Sequence, residues 1–391
     1  MKKNILNFKL YKIFFLTMLI DPIFVIYAYS CGLSVSEIFI LSSIETLLIV
    51  LLEIPTGIVA DLFGCKISII WGIISFICSN IIVLLYPKFL GFLICSTLIA
   101  FYKVLISGAD ETYLYLALEN KDDYSKISGS LDSIGFILTG IASICVSYIY
   151  SINEKYPFFL SILVCLFALI AAMRLENIKE NELQIKTVSA LYEEFCKIVK
   201  RGFMCVFKSN KLKWFMSFST IVSFLLVSVL QTYQLFFLEQ KVPVEYFGLI
   251  YFGLYIVSSI SSKYAYLFKQ FDVYKSFMIL LGLLVLTPLV MSFQIPYLIF
   301  IIAIPRIVIG IYPVLIREYM NKEIKEDRAM IFSARSLLSR LMQVFLLPVV
   351  GNIIDKSSLG HSFVVICALG LAVFFVLLIS LHYLNLVDAD K

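Results

Sequence analysis

Charged residues are scarce in this sequence. The chain has 391 residues, of which 61% are hydrophobic and only 15% are charged. Soluble domains carry about 25% charged residues, so the composition excludes an ordinary water-soluble protein. Four stretches contain no Asp, Glu, Lys or Arg: 67–87, 133–153, 214–238 and 357–387. Because a helix needs roughly 20 apolar residues to cross a bilayer, these stretches predict a polytopic α-helical membrane protein.

Histidine is nearly absent, and the cysteines show no pairing pattern. His361 and His382 are the only imidazoles, so a His-based metal site is not expected. The nine cysteines form no CxxC pair, and most lie inside apolar runs, where they behave as small hydrophobic residues. The sequence therefore predicts no metal site and no cofactor.

Two further absences narrow the function. The chain has no G-x-x-x-x-G-K-[ST] loop, which an ATP-driven pump needs to hold phosphate. It also lacks a loop with clustered His, Cys or paired acids, so a membrane enzyme is not expected. The net charge of +5 does not indicate a nucleic-acid partner, because the basic residues lie in short loops between apolar runs.

Charged and turn residues divide the chain into about twelve predicted crossings. These lie near residues 10–30, 37–58, 67–86, 89–112, 127–150, 156–174, 213–238, 245–267, 275–292, 296–317, 329–353 and 360–384. The predicted domains are an N-terminal six-helix bundle (1–174), a cytoplasmic linker (175–212) and a C-terminal six-helix bundle (213–391). Two such halves suit alternating access better than a channel.

The predicted linker has apolar residues at helical spacing: Val188, Leu191, Phe195, Ile198 and Val199. This pattern predicts an amphipathic helix on the inner membrane surface. The linker is either a plain basic connection between the two bundles or a regulatory element.

The basic residues predict the orientation. Most Lys and Arg residues fall in the N-terminal segment, the linker and alternate loops, and the other loops contain only Lys88, Lys155, Lys241 and Lys356. Cytoplasmic loops carry the excess of Lys and Arg. Both termini are therefore expected in the cytoplasm, with the chain in the cell (plasma) membrane.

Five ionisable residues lie near the middle of predicted crossings: Asp21, Glu45, Lys103, Arg306 and Arg340. Such residues cost roughly 2.5–3.5 kcal/mol in lipid, so they face a cavity or a partner. Two interpretations remain open. The charges form fixed ion pairs that hold the bundle together, or Asp21 and Glu45 load and release protons while the cations line a substrate cavity.

Other polar residues complete the predicted site. Gln231 and Gln234 are candidates for the substrate cavity. Lys103 and Arg306 occupy corresponding crossings of the two halves, and each precedes a glycine and an acidic inner end, as expected for an internal repeat. A cytoplasmic gate is expected to contain residues nearer the inner ends of the crossings: Glu53, Asp110, Glu111, Asp132 and Arg335.

The turn between the second and third crossings carries a family signature. "GIVADLFGCK" (57–66) fits G-x-x-x-D-x-x-G-x-K and resembles the loop signature of the major facilitator superfamily. Gly57 and Gly64 permit close approach and a tight turn, Asp61 can face a helix N-terminus, and Lys66 stays in water. The resemblance implies that Asp61 sits against the start of the eleventh crossing, near Arg328, in the cytoplasmic gate.

Longer strings extend this resemblance to both halves. "LLEIPTGIVAD" (51–61), "SGADETYLYLAL" (107–118) and "RAMIFSARSLLSRLMQVFLLPVVGNIID" (328–355) resemble a bacterial branch that contains drug exporters and tetracycline exporters. The resemblance implies a twelve-helix major facilitator fold and proton-coupled efflux of a small amphipathic compound. Uptake or exchange of a polar or anionic metabolite remains the alternative. The expected partners are the substrate, protons and the lipid bilayer, with the chain acting as a monomer.

Overall fold

The computed structural model of the chain is helical throughout its described residues. These are residues 2–16, 20–118, 120, 123–178, 188–324 and 328–383, and no strand occurs among them. An all-helical fold follows from the apolar composition, because a helix satisfies its own backbone hydrogen bonds inside lipid.

Fifteen α-helices occupy the described ranges. In the first half of the chain they are α1 Lys2–Leu16, α2 Phe24–Ser30, α3 Val35–Phe63, α4 Cys65–Leu85, α5 Phe89–Ile106, α6 Ala109–Ala117, α7 Asp123–Ile152 and α8 Tyr156–Met173. They continue as α9 Val188–Lys208, α10 Asn210–Glu239, α11 Phe247–Lys263, α12 Val273–Ser292, α13 Ala303–Glu323, α14 Arg328–Lys356 and α15 Leu359–Tyr383. Three 3-10 helices lie at Val244–Tyr246, Ala265–Gln270 and Pro296–Ile302.

Eleven helical segments within the described ranges are long and apolar enough to cross a membrane, from Val35–Glu53 to Leu359–Leu381. The protein is therefore a multi-pass membrane protein, as the sequence predicts. The remaining predicted crossing, 10–30, includes residues 17–19, which lie outside the described ranges, and its described parts are α1 and α2.

The predicted fourth crossing is interrupted near its inner end. α5 stops at Ile106 and α6 starts at Ala109, and Gly108 between them has φ +80°. This backbone conformation favours glycine, because a Cβ would be strained there. The break divides the crossing into a longer helix, α5, and a short helix, α6, that carries Asp110 and Glu111.

The chain divides into two compact units. The first consists of Met1–Glu193 with Pro243–Phe252. In it, α4 packs against α5 and α8, α3 packs against α5, and α1 packs against α7 and α8. Its core includes Tyr11, Ile73 and Tyr113, all fully buried. These packings bring charged residues from distant parts of the sequence together.

The second unit consists of Glu194–Val242 with Gly253–Lys391. In it, α10 packs against α13, α14 and α15, and α12 packs against α13 and α15. Trp214 anchors an aromatic cluster: its ring stacks on Phe218 at 5.3 Å and meets the edge of Tyr274 at 5.1 Å between centroids. Aromatic pairs of this kind contribute about 0.5–1.5 kcal/mol each beyond burial.

Candidate functional site

The first unit contains an ion pair in the middle of two predicted crossings. Because α3 packs on α5, Lys103 Nζ lies 2.6 Å from Glu45 Oε1. The Glu45 side chain is 18% exposed and the Lys103 side chain is 49% exposed. A hydrogen bond between two ionised groups is stronger than a neutral one. The two side chains therefore form a strong ion pair and remain partly accessible to solvent.

A second carboxylate acts on the same ammonium. Asp21, exposed in the turn before α2, attracts the Lys103 ammonium electrostatically. When all three groups are ionised, two carboxylates attract one ammonium. The group then has one negative charge in excess, so Glu45 can accept a proton while the attraction between Asp21 and Lys103 remains.

A second ion pair lies at the predicted inner end of the first unit. Lys12 on α1 pairs with Asp110 on α6, and the other Asp110 oxygen accepts the Glu111 backbone N–H at 2.9 Å. Asp110 is buried. A small cavity of about 50 Å³ borders Lys12, Asp110 and Glu111. This pair was not predicted from the sequence.

A polar network joins α1, α6 and the end of α8 at the same end of the unit. The Tyr113 hydroxyl donates to the Asn4 side-chain oxygen at 2.7 Å and lies 3.0 Å from the Glu176 carbonyl oxygen. The Glu176 N–H donates to the same Asn4 oxygen at 3.1 Å. A cavity of about 410 Å³ lies beside this network, lined by Asn4, Asn7, Arg174 and Glu176.

The loop signature is described only in part. Gly64 has φ +91°, and an added Cβ would lie 2.8 Å from the Asn177 side-chain oxygen. Lys66 is partly buried and Glu53 is exposed. The side chains of residues 54–63 and of Asp132 lie outside the described part of the structure. Gly57, Asp61 and Asp132 are among these residues, so their role in the gate stays a prediction.

Arg306 is the corresponding mid-crossing cation of the second unit. Its guanidinium carbon lies 5.1 Å from the centre of the Tyr255 ring and 6.0 Å from that of Tyr233. The Tyr233 hydroxyl donates to the Ile302 carbonyl oxygen at 2.7 Å, which fixes this ring. Cation–π contacts of this kind hold a guanidinium by about 0.5–2 kcal/mol. The sequence analysis did not single out Tyr255.

The two glutamines and Arg340 lie on neighbouring helices of the second unit. Gln234 is buried, and the Gln231 side-chain oxygen is buried with no hydrogen-bond partner among the described residues. Arg340 is partly buried on α14. The unsatisfied amide oxygen of Gln231 is the kind of group that a substrate or a water molecule satisfies.

The predicted gate cations of the second unit contact their own unit. Arg328 donates to the Ile324 and Asn321 carbonyl oxygens, each at 3.4 Å. Arg335 lies 5.6 Å from the centre of the Phe332 ring. These contacts hold both arginines at the N-terminal part of α14.

Contacts of the two units fall on elements that the predicted repeat places in corresponding positions. Lys103 reaches from the fourth predicted crossing to the second, and Arg306 reaches from the tenth to Tyr255 on the eighth. The inner-end pair of Lys12 and Asp110 likewise has a counterpart in the second unit, where Lys211 Nζ lies 3.3 Å from Glu323 Oε1. Lys211 and Glu323 were not predicted as a pair.

Comparisons with known sequences identify a family. The family described as Major Facilitator Superfamily matches residues 13–345. An uncharacterized MFS-type transporter of Methanocaldococcus jannaschii is 28% identical over 200 residues, which cover 49% of this chain and 50% of the relative. The uncharacterized MFS-type transporter YxaM of Bacillus subtilis is 28% identical over 154 residues, 38% of this chain and 37% of the relative. The matches thus span half or less of these curated relatives.

Solved structures resemble nearly the whole chain. A nucleoside transporter, NupG, superposes with a TM-score of 0.79 at 13% identity, covering 96% of this chain and 99% of that one. A POT family transporter in complex with 5-aminolevulinic acid gives a TM-score of 0.69 at 12% identity, covering 97% and 95%. At these identities the likeness establishes the fold and leaves the substrate open.

Proposed function

Because this chain belongs to the major facilitator superfamily, we propose that it is a secondary active transporter that exports a small amphipathic compound in exchange for protons by alternating access. The fold implies a small-molecule substrate. The observation that carries the proton-coupling proposal is the ion pair of Glu45 and Lys103 with Asp21 beside it. Ionisable groups within membrane spans are costly and mark substrate, ion or proton pathways.

The proposed proton cycle uses Glu45 as the carrier. A proton that binds the Glu45 carboxylate neutralises it and weakens its bond to Lys103. Asp21 then retains the attraction to the ammonium, so Lys103 is not left as an isolated charge in a medium of low dielectric constant. When the site opens to the cytoplasm, the proton leaves, the bond to Lys103 forms again, and substrate is taken up for export.

The cytoplasmic gate belongs to the same proposal. By resemblance, Asp61 meets the start of α14 near Arg328 when the inner side is closed. Asp110, Glu111, Asp132 and Arg335 contribute charges at the same end. We also propose that the protein works as a monomer in the plasma membrane with both termini in the cytoplasm.

Arg306 supports a second candidate function, the uptake or exchange of an anionic metabolite. Its guanidinium is held by Tyr255 and Tyr233 in the middle of the second unit. A guanidinium presents several donors in a fixed plane and binds carboxylate or phosphate in a bidentate manner. A nucleoside transporter and a POT family transporter share this fold, so the fold itself does not favour export over uptake or exchange.

Transport by the purified protein in proteoliposomes separates the two candidates. The experiment follows the dissipation of an imposed pH gradient on addition of lipophilic cations, neutral drugs or small carboxylates. The export proposal expects amphipathic compounds to release protons across the membrane in a saturable way. Release by carboxylates alone would favour the second candidate. No proton movement with any compound that the protein transports would contradict proton coupling.

Thiol labelling tests the proposed orientation. Lys155, Lys241, Lys200 and Lys322 are all exposed, so burial does not limit their reactivity. In a background without the nine native cysteines, cysteine at 155 or 241 is expected to react with an impermeant maleimide in intact cells. Cysteine at 200 or 322 is expected to react only after permeabilisation. Labelling of the second pair in intact cells would overturn the orientation.

A further inference from the structure

Helix α9 is held against the protein by one face. An added Cβ at Gly202 would lie 2.4 Å from the Met330 carbonyl oxygen, so the backbone of α9 touches the start of α14 there. Val206, one turn later, is buried. This face is therefore occupied by the protein itself. The side chains of the predicted apolar residues Val188, Leu191, Phe195, Ile198 and Val199 lie outside the described part.

The opposite face of α9 is exposed and carries a distinctive set of side chains. With about 100° per residue in an α-helix, six exposed residues fall in a sector of about 120° centred opposite Gly202 and Val206: the acidic Glu193 and five residues nearer α10. We call those five the basic-aromatic face: Lys197, Lys200, Arg201, Met204 and Phe207. All five are exposed, and Phe207 is 68% exposed.

α9 directly precedes a membrane-crossing helix. A single residue, Ser209, separates α9 from α10, and its side chain caps α10 by accepting the Leu212 N–H. α10 is one of the membrane-crossing helices. The last turn of α9 is therefore adjacent in the chain to a helix that crosses the bilayer.

We propose that the basic-aromatic face of α9 docks on the anionic phospholipid headgroups of the inner leaflet. Lys200 and Arg201 attract anionic lipid at a membrane surface. Phe207 and Met204 are expected to insert at the boundary between headgroups and acyl chains, as the apolar side chains of interfacial helices do.

This docking has a consequence for transport. Because Gly202 packs on Met330, lipid bound to one face of α9 restrains the start of α14 through the other. Anionic lipid then stabilises the inner end of the helix that carries Arg328 and Arg335. The inference rests on the proposed cytoplasmic orientation of α9, which the thiol labelling tests separately from lipid binding.

Hydrogen exchange in nanodiscs tests the inference on the full chain. Discs contain either phosphatidylcholine alone or phosphatidylcholine with about 30% phosphatidylglycerol, the latter providing an anionic surface. Amides of α9 are expected to exchange about tenfold more slowly in the anionic discs, because docking suppresses local opening. At about 1 M salt, where the screening length falls to roughly 3 Å, this difference is expected to vanish.

A matched pair of double variants gives the decisive comparison. Lys200→Gln with Arg201→Gln is expected to lose most of the slowing, whereas Lys88→Gln with Lys155→Gln, which removes the same charge from predicted outer loops, is expected to retain it. Equal exchange of α9 in the two lipid compositions would overturn the proposal. So would full slowing in the Lys200/Arg201 double variant, or slowing by a soluble polyanion such as RNA but not by phosphatidylglycerol.

Discussion

The Glu45→Gln protein is expected to bind its substrate but to lose proton-driven accumulation by at least about tenfold, the change that corresponds to ~1.4 kcal/mol of lost coupling. Glutamine retains the size of Glu45 and can still accept a hydrogen bond from Lys103, 2.6 Å away in the parent. Glutamine cannot bind or release a proton, so the side chain at position 45 stays uncharged throughout the cycle. Counterflow of substrate without a pH gradient, which needs no proton, is expected to survive in part.

Two further substitutions separate coupling from stability. Glu45→Asp retains the charge on a shorter side chain and is expected to transport with a shifted pH profile. Asp21→Asn removes the other carboxylate near Lys103 and identifies which acid carries the proton. Since the Lys103 side chain is half exposed, the stability cost of Glu45→Gln is expected to be smaller than the ~3–5 kcal/mol of a fully buried pair. Parental accumulation and pH profile in Glu45→Gln would exclude Glu45 as the carrier.

The helices of this protein could be predicted from the sequence for a simple reason. Uncharged runs such as 214–238 leave lipid-spanning helices as the only way to satisfy the backbone, and α10 occupies this run. The break at Gly108 was not predicted, because glycine also occurs within membrane helices and its positive φ depends on the packing of α5 and α6. Local composition thus determined where helices form, whereas their interruptions depended on tertiary contacts.

The site could be predicted residue by residue but not as a set of contacts. A charge such as Glu45 or Arg306 is conspicuous in an apolar run because placing it in lipid is costly. Its partner is not, because Glu45 and Lys103 are 58 residues apart and meet only through the packing of α3 on α5. Tyr255 illustrates the same limit, since one tyrosine among 23 carries no signal until α11 is placed beside Arg306.

The inner-end ion pairs show how burial decides the strength of an interaction. The side chains of Lys12 and Asp110 are 19% and 8% exposed, whereas those of Lys211 and Glu323 are 21% and 34% exposed. Removing one partner of a buried pair leaves an uncompensated charge and costs about 3–5 kcal/mol, whereas an exposed pair contributes about 0–1 kcal/mol. Glu323 is more exposed than Asp110, so the second pair lies nearer the lower figure. The pairs join α1 to α6 and α10 to α13, so each serves as a control for the other.

Asp110→Asn is therefore expected to destabilise the protein strongly, by up to ~3–5 kcal/mol, because Lys12 loses its carboxylate in a mostly buried position. Glu323→Gln, the matched change in the second unit, is expected to cost about 1 kcal/mol or less. Thermal unfolding of the purified variants in detergent measures both. Equal unfolding temperatures for Asp110→Asn and the parent would show that the pair does not hold α1 to α6.

The double variant Lys12→Met with Asp110→Leu then separates a structural role from a gate role. Replacing both charges by apolar side chains of similar volume removes the unpaired ammonium, so much of the lost stability is expected to return. If Asp110 belongs to the cytoplasmic gate, this stable variant still transports slowly, because the charge that closes the inner side is missing. If the pair only fastens α1 to α6, transport returns together with stability. Parental transport by a stable Lys12→Met/Asp110→Leu protein would thus remove Asp110 from the gate and leave Asp61 as its main acidic candidate.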